Sequence, residues 1–397
     1  MHRILFIVEN NTVPPDIRVW REARTARSAG HSVAVIAPKS SAFPKGREVI
    51  DGIEIYRHPC VKAKRGKLNQ VLEYANAMVW ETLLCIRLYA KRRFHVIHAA
   101  NPPDHVFLIA LLFRPFGVKF IFDHHDLAPE LFQAKFSGGG GGGALFRTLS
   151  LMESLSCRTA AAVISTNLSY KKHVMDRHGT DPEKIFVVRN DPEIPGPQRN
   201  GSHPERDPGA ARLLYIGSIN NQDGVDQLVG VVEQLVTRHG RNRVSCTVVG
   251  DGDDLPRVKE LCAERSLLMH FTFTGYVHDR NEVRRLIEES DICLEPAPFN
   301  EANSRSTFIK IMEYMAAGKP VVAFDLDETR YSAGDSALLV APGDLPAFAD
   351  AVDRLIDAPS EREDLGRRGR RRITEVLNWQ HSSKELIKAY AYVLGAA

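Results

Sequence analysis

Three stretches of the chain carry residues whose types and spacing could do chemistry. The most informative covers residues 303–325, NSRSTFIKIMEYMAAGKPVVAFD. Phe308, Ile311, Met312 and Met315 recur at i, i+3, i+4 and i+7, the spacing of a buried helical stripe, which leaves Ser306, Lys310 and Glu313 on the other side. The small polar run 303–307, which includes Arg305, Ser306 and Thr307, supplies candidate caps for the helix start. Free N–H groups and the positive end of the helix dipole there suit a phosphate, with Lys310 one turn inside to add charge. Glu313, a turn further on, is placed to accept hydrogen bonds from ribose hydroxyls. Taken alone, the pattern also describes a capped surface helix whose Lys310 and Glu313 form an exposed i, i+3 pair of little energetic consequence.

The second stretch is DHHDLAPE, residues 123–130, directly after a buried apolar run. The carboxyl end of a parallel strand is where open α/β folds bind ligands. His124, His125, Asp126 and Glu130 are metal-ligating types, but H-H-D is not a spacing that common metal sites demand, and no cysteine or second histidine pair supports it. A polar site residue is favoured over a metal ligand, with a structural imidazole at His125 as the alternative. The third stretch is a pair of loops, Gly250-Asp251-Gly252 and Gly275-Tyr276-Val277, each following a buried strand. Glycine at such a position lets backbone approach a ligand closely, although Gly-Asp-Gly is also an ordinary turn.

The elements that must position these residues form two α/β series. In the first, strands are predicted over residues 3–9, 32–37, 53–57, 96–100, 119–123, 162–165 and 185–188, with helices between them, including a long amphipathic one over 68–93. The loop NNTVPPD lacks the Gly-x-Gly-x-x-Gly of a dinucleotide site. Residues 137–143, almost pure glycine, are expected to be a mobile loop at the mouth of a cleft. Residues 191–210 are rich in proline and glycine and nearly devoid of apolar side chains, and so read as a linker. The second series has strands over 212–216, 244–249, 271–274, 292–295 and 321–324. Gly318 closes the helix of the first stretch and Pro320 stops it from continuing. The expected architecture is α/β, two Rossmann-like domains with parallel sheets facing across a cleft: residues 1–190, a linker 191–210, residues 211–375, and a C-terminal helix in 376–397 that returns towards the first domain.

Length and composition fit that division. A chain of 397 residues exceeds one ordinary core. A net charge of +3 gives no argument for nucleic acid. The chain has no apolar run long enough to span a bilayer and no signal peptide at its start, and its six scattered cysteines lack metal or disulfide spacing, so buried reduced thiols in a cytoplasmic protein are expected. Lys62, Lys64, Arg65 and Lys67 before the long helix, and Lys91, Arg92 and Arg93 at its end, have two readings. They complement the helix dipole and solvate a loop, or they form a basic rim that touches anionic lipid headgroups at the inner face of the membrane.

The second series resembles the donor-binding half of a retaining glycosyltransferase of family 4, with the GT-B fold. LLYIGSINNQDGVDQLV, TVVGDGDD, FTFTGYV and STFIKIMEYMAAGKPVVAFD are similar to that family's successive elements. The opening strand and FDHHDLAPE resemble its acceptor half, and NWQHSSKELIKAYAYVL its final helix. The resemblance implies a hexosyltransferase that moves a sugar from a nucleotide-diphosphate sugar, UDP-sugar favoured, to a glycan or lipid-linked acceptor in bacterial polysaccharide assembly, without metal or other cofactor. It implies that His125 contacts the transferred sugar, Glu313 the ribose, and Tyr276 with Val277 the base. Gly217, Gly250, Gly252, Ser306 and Thr307 then surround the donor, and Asp16, Arg18 and Asp126 stand on the acceptor or sugar side. Two departures stand out. Arg305 occupies the place of the family's first glutamate, and Gly217-Ser218-Ile219-Asn220-Asn221-Gln222-Asp223-Gly224 lacks the arginine and lysine that hold the diphosphate. The chain resembles a subgroup with S-T-x-x-K-x-x-E-Y-M-A here, in which Arg305 and Lys310 would restore two charges at the start of one helix, and Glu301 would substitute for the displaced carboxylate. The alternatives are a nucleotide-sugar 2-epimerase of the same fold and a non-catalytic glycosyltransferase-like partner subunit.

Overall fold

The computed structural model describes the chain outside residues 60–66, 131–142, 193–209, 241 and 396–397. The glycine run, most of the proposed linker and the basic loop before the long helix therefore lie outside the described residues. The chain forms two compact units, residues 1–189 with 382–397, and residues 190–381.

The first unit is built on an eight-stranded sheet in the order β3-β4-β2-β1-β5-β6-β7-β8. Its strands are β1 (Arg3–Ile7), β2 (Ser32–Pro38), β3 (Arg47–Ile50), β4 (Ile53–His58), β5 (Val96–Ala100), β6 (Lys119–His124), β7 (Ala162–Ser165) and β8 (Ile185–Val187). All neighbours are parallel except β3 and β4, an antiparallel hairpin. Its turn, Asp51-Gly52, has φ of 50° and 74°, the double left-handed conformation that Asp-Gly favours between paired strands. The strand runs Ile4–Ile7 and Val33–Ala37 are completely buried because helices cover both faces of a parallel sheet. The C-terminal helix, Trp379–Leu394, contributes Tyr390, whose hydroxyl lies 2.8 Å from His98 Nδ1 on β5.

The second unit holds a six-stranded parallel sheet in the order β11-β10-β9-β12-β13-β14. Its strands are β9 (Ala211–Ile216), β10 (Val244–Val249), β11 (Phe271–Gly275), β12 (Ile292–Glu295), β13 (Val321–Phe324) and β14 (Ala337–Val340). The sheet grows outward in both directions from β9, so the order reverses between β9 and β12. β14 is absent from the sequence reading, as is β3. Both are four residues long and only partly buried, too short for a clear alternation to emerge. The five described cysteines are buried and unpaired.

The single helix expected to start in the 303–307 run is instead two helices. A five-residue helix, Glu301–Arg305, ends before extended backbone at Ser306 and Phe308, and a second helix, Ile309–Ala316, then begins. Asn300, rather than the 303–307 run, caps the first: its side chain accepts from Asn303 N–H at 2.8 Å. The second ends at Gly318, with φ of 71°, and helix Pro359–Glu375 crosses it so closely that a Cβ on Gly366 would lie 2.0 Å from the Gly318 carbonyl.

Gly366→Ala is expected to lower the thermal unfolding midpoint by several degrees, for a loss of about 2–3 kcal/mol through forced separation of these helices. An unchanged melting curve would mean that the helices do not meet at that point.

Candidate active site

In the second unit, the functional residues collect at the carboxyl ends of the strands, on either side of the reversal between β9 and β12. The loops there are joined backbone to backbone. Gly217 N–H donates to the Val249 carbonyl at 2.9 Å, Ile219 N–H to Asp251 at 3.0 Å, and Gly250 N–H to Gly275 at 3.0 Å. A Cβ on Gly250 would fall 1.8 Å from the Gly217 carbonyl, and one on Gly252 would fall 2.2 Å from that of Ile219. Glycine is therefore obligatory at both positions by contact alone. Gly250 also sits at φ 144°.

Lys310 enters this edge from the first turn of helix Ile309–Ala316. Its Nζ lies 2.9 Å from Glu295 Oε2, at the end of β12, and 3.0 Å from the Tyr215 hydroxyl, at the end of β9. It also stands 4.2 Å from the centre of the Tyr215 ring. Burial alone would lower the pKa of Lys310, but the Glu295 carboxylate outweighs it and holds the ammonium charged. Tyr215 in turn donates to the Ser218 carbonyl at 2.8 Å, and Ile216 N–H donates to the Tyr314 hydroxyl at 2.8 Å. Two buried tyrosines thus fix the β9 loop. A Cβ on Gly217 would meet Lys310 Nζ at 2.7 Å, so backbone and ammonium share one small space. Helix Ile309–Ala316 begins at Phe308 with no side-chain cap, which leaves its first N–H groups for another acceptor.

The outer part of this edge is more open. Glu313 Oε1 lies 3.2 Å from Arg280 Nη1, and the Tyr276 ring packs edge-on to His278 with centroids 4.6 Å apart. Tyr276 is largely exposed, while Val277 packs on the core beneath. Ser306 donates to the Ala302 carbonyl at 2.7 Å. Arg305 lies 2.5 Å from Glu301, so neither is an isolated charge. The expectation of two cations at the start of one helix is corrected: Arg305 ends its own short helix, and each cation has its own carboxylate. The i, i+3 pairing of Lys310 with Glu313 is also absent, because Lys310 turns inward to Glu295 and Glu313 outward to Arg280.

In the first unit, His125 follows β6 within a buried ionic cluster. Arg18 grips Asp123 with both arms, at 2.6 and 2.8 Å, lies 3.2 Å from Glu22, and donates to the Val188 carbonyl at 3.0 Å. His125 Nδ1 stands 3.4 Å from Asp123 Oδ2. Burial would raise the pKa of Asp123, but Arg18 overrides it and keeps the carboxyl well below the usual range. Burial likewise opposes charge on His125, and Asp123 carries its pKa upward. A proton on Nδ1 directed at Asp123 leaves Nε2 as the working nitrogen. Asn101 sets the loop by accepting from both His125 and Asp126 N–H, at 2.8 and 3.0 Å. Asp16 caps helix Ile17–Ser28 through Val19 N–H at 3.0 Å, and so orients the turn that carries Arg18.

The other members of the DHHDLAPE stretch serve elsewhere. His124 Nε2 lies 2.8 Å from Glu153, and Glu130 pairs with Arg177. Two groups of metal-ligating types converge among the described residues, Glu153 with His173 and His178, and Glu22 with His98 and Asp123. In the second, the guanidinium of Arg18 already bridges both carboxylates. Sequence reasoning missed Glu295, Tyr215, Asn101 and Arg280. A charged residue at the end of the buried strand ICLE is the one visible signal for Glu295.

Two family models match the chain: "Glycosyl transferase 4-like domain" over residues 15–191 and "Glycosyl transferases group 1" over residues 210–358. Glycogen synthase of Mycobacterium tuberculosis is 22% identical over 380 residues, 91% of this chain and 87% of that protein. Among solved structures, sucrose-phosphate synthase from Thermosynechococcus elongatus superposes with a TM-score of 0.77 at 17% identity, with all of both chains covered. Anabaena HepE in complex with UDP-glucose superposes with a TM-score of 0.71 at 14% identity, covering 98% of this chain and 100% of that one. With one glycosyltransferase model on each unit and both parallel sheets in place, the chain belongs to the glycosyltransferases of the GT-B fold.

Proposed function

We propose that this glycosyltransferase transfers a hexose from a nucleotide-diphosphate sugar, UDP-sugar favoured, to a glycan or lipid-linked acceptor with retention at the anomeric carbon, as a step of bacterial polysaccharide assembly. The observation that carries the donor assignment is the Lys310 ammonium fixed beside the bare backbone of Gly217. An ammonium has three N–H donors. Glu295 and Tyr215 account for two, and the third, with the uncapped N–H groups of helix Ile309–Ala316, meets the diphosphate. As the bond to the sugar breaks, negative charge grows on the departing phosphate. A cation and dipole already held in place stabilise it without reorganisation, so no metal is invoked for that step. Glu313 takes the ribose hydroxyls, and Tyr276 and Val277 the base. His125 contacts the sugar through Nε2, while Arg18 positions Asp123 behind it and Asp126 faces the acceptor side. Anabaena HepE, solved in complex with UDP-glucose, supports uridine as the base.

A peripheral membrane contact fits the same reading. Helix Lys67–Lys91 exposes Val79, Trp80, Leu83 and Ile86, and helix Phe107–Phe113 exposes Leu108, Leu111 and Leu112, followed by Phe116. The rings of Tyr89 and Phe113, 5.3 Å apart, join the two helices, and Tyr89 also meets Phe116 at 5.6 Å. Arg87, Lys91, Arg92, Arg93 and Arg114 are exposed among and beside these apolar residues. Apolar side chains ringed by cations match a bilayer with anionic headgroups. Among the described residues no helix is long and apolar enough to cross a membrane.

Isothermal titration calorimetry with UDP and uridine tests the donor site. Lys310→Ala is expected to weaken UDP binding about 30-fold, on the order of 2 kcal/mol for a lost charged hydrogen bond, and uridine binding hardly at all. Equal losses for the two ligands would remove Lys310 from the phosphate site. Because Lys310→Ala strands a buried Glu295 carboxylate, the double variant Lys310→Met/Glu295→Gln is expected to recover stability without recovering UDP affinity.

Glu313→Ala, by contrast, is expected to weaken UDP and uridine alike, by roughly tenfold. An effect on UDP alone would contradict a ribose contact.

In vesicle flotation, the protein is expected to rise with phosphatidylglycerol-containing vesicles but not with pure phosphatidylcholine. Leu83→Asp/Phe116→Asp should abolish that. Binding that ignores both lipid charge and these substitutions would refute the contact, and a dimer that dissociates on the same substitutions would assign the surface to self-association.

A further inference from the structure

Four polar side chains at the carboxyl edge of the first unit's sheet have no role so far. The strand order there reverses between β1 and β5, the position at which open α/β sheets take ligands. Glu9 follows β1, His105 follows β5 and His58 ends β4, while Glu81 comes from helix Lys67–Lys91, which packs on β2 and β4. Both carboxylate oxygens of Glu9, both of Glu81, and Nε2 of His58 and of His105 are buried without a hydrogen-bond partner. Glu81 is 0% exposed and His58 2%. The nearest approaches are 3.9 Å from His58 Nε2 to Glu81 Oε1 and 3.8 Å from His105 Nε2 to Glu9 Oε2, both beyond a hydrogen bond.

Buried polar groups are normally satisfied, so this concentration of orphans requires a reason. Its chemistry is one-sided. His58 Nδ1 lies 3.0 Å from the Pro59 carbonyl, which can only accept, so the proton is on Nδ1 and Nε2 presents a lone pair. Burial pushes the His58 pKa down and so favours the neutral ring. Burial also pushes Glu81 up to about 8, and burial together with the charges of Glu81 and Glu73 pushes Glu9 up to about 9. Among the described residues no lysine or arginine forms an ion pair with Glu9 or Glu81. The cluster therefore offers several acceptor atoms, His58 Nε2 among them, and among the described residues it holds no cation. A metal ion, whose ligand atoms must crowd more closely than the acceptors of an ammonium, fits poorly, because among the described residues these atoms do not form a converging ligand group. A primary ammonium supplies several N–H donors and a positive charge in one group, and its arrival would lower the pKa of the carboxyl it touches.

We propose that Glu9, Glu81 and His58, with His105 at the outer end, form a subsite for a protonated amine on the acceptor, so that the acceptor carries an amino sugar or an amine-substituted ring. This rests on the transferase reading, since the same groups in a protein that transfers nothing would bind an amine for another purpose.

The full chain, near neutral pH, is titrated with methyl α-D-glucosaminide, its N-acetyl form and methyl α-D-glucoside by ligand-observed NMR, and with UDP by calorimetry in the same samples. The amine is expected to bind at least about tenfold more tightly than either neutral sugar. Glu81→Gln and Glu9→Gln should each erase that preference while UDP affinity stays unchanged. Should Glu81→Gln fail to fold, the Glu9→Gln variant, nearer the surface, decides alone. Equal binding of the three sugars, a preference that survives the glutamine variants, or displacement of the amine by zinc ions would overturn the subsite. Amine preference without any nucleotide binding would leave a cation site and overturn its assignment to an acceptor, whereas UDP binding without amine preference defeats the subsite alone.

Discussion

Both units are governed by the same topological constraint. A parallel sheet that grows outward in both directions from its first strand must send its connections to opposite faces, and it cannot fill the space above the carboxyl ends where they part. In the second unit that space lies over β9 and β12, and the loops around it are packed backbone against backbone. The Gly250 Cα hydrogen, the Gly217 carbonyl and the Lys310 ammonium divide a volume in which one additional methyl group has no place. Close packing of main chain therefore keeps N–H groups at the surface of the crevice, where side chains would otherwise cover them.

Each unit also buries an ion pair at that edge. Lys310 with Glu295, and Arg18 with Asp123 and Glu22, are costly to desolvate and give little net stability for that cost. Their return is positional. Arg18 fixes the carboxylate beside which His125 stands, and Glu295 with Tyr215 fixes an ammonium that would otherwise sample many rotamers. The cost of organisation is met during folding, so a ligand arrives at groups that need not move.

The alternation of strand and helix was legible in the sequence because parallel strands covered on both faces are continuous apolar runs, and residues 292–295 and 321–324 coincide with the observed strands. That Lys310 and Glu313 lie off the buried stripe of their helix was legible from the helical spacing of Phe308, Ile311, Met312 and Met315. Their partners were not. Glu295 precedes Lys310 by 15 residues and Tyr215 precedes it by 95, so no periodicity connects them. The break between residues 305 and 309 escaped notice because Ser306 and Thr307 suit a helix start as well as they suit extended backbone. Asn101 holds the His125 loop through its side chain across 24 residues, and nothing local distinguishes it from a turn asparagine. The Asp51-Gly52 hairpin, by contrast, carried a recognised signal and could have been read.

The first unit is discontinuous in the chain. Residues 382–394 complete it, with Tyr390 buried against His98, yet they are synthesised after the whole of the second unit. On the ribosome, the first unit to emerge is the last to be finished: it waits with the His98 side of its sheet uncovered until the final helix is released. The second unit, uninterrupted between residues 190 and 381, can close while synthesis continues. Premature termination beyond residue 381 would thus damage the half of the protein that is farthest from it in sequence, and would leave the nearer half intact.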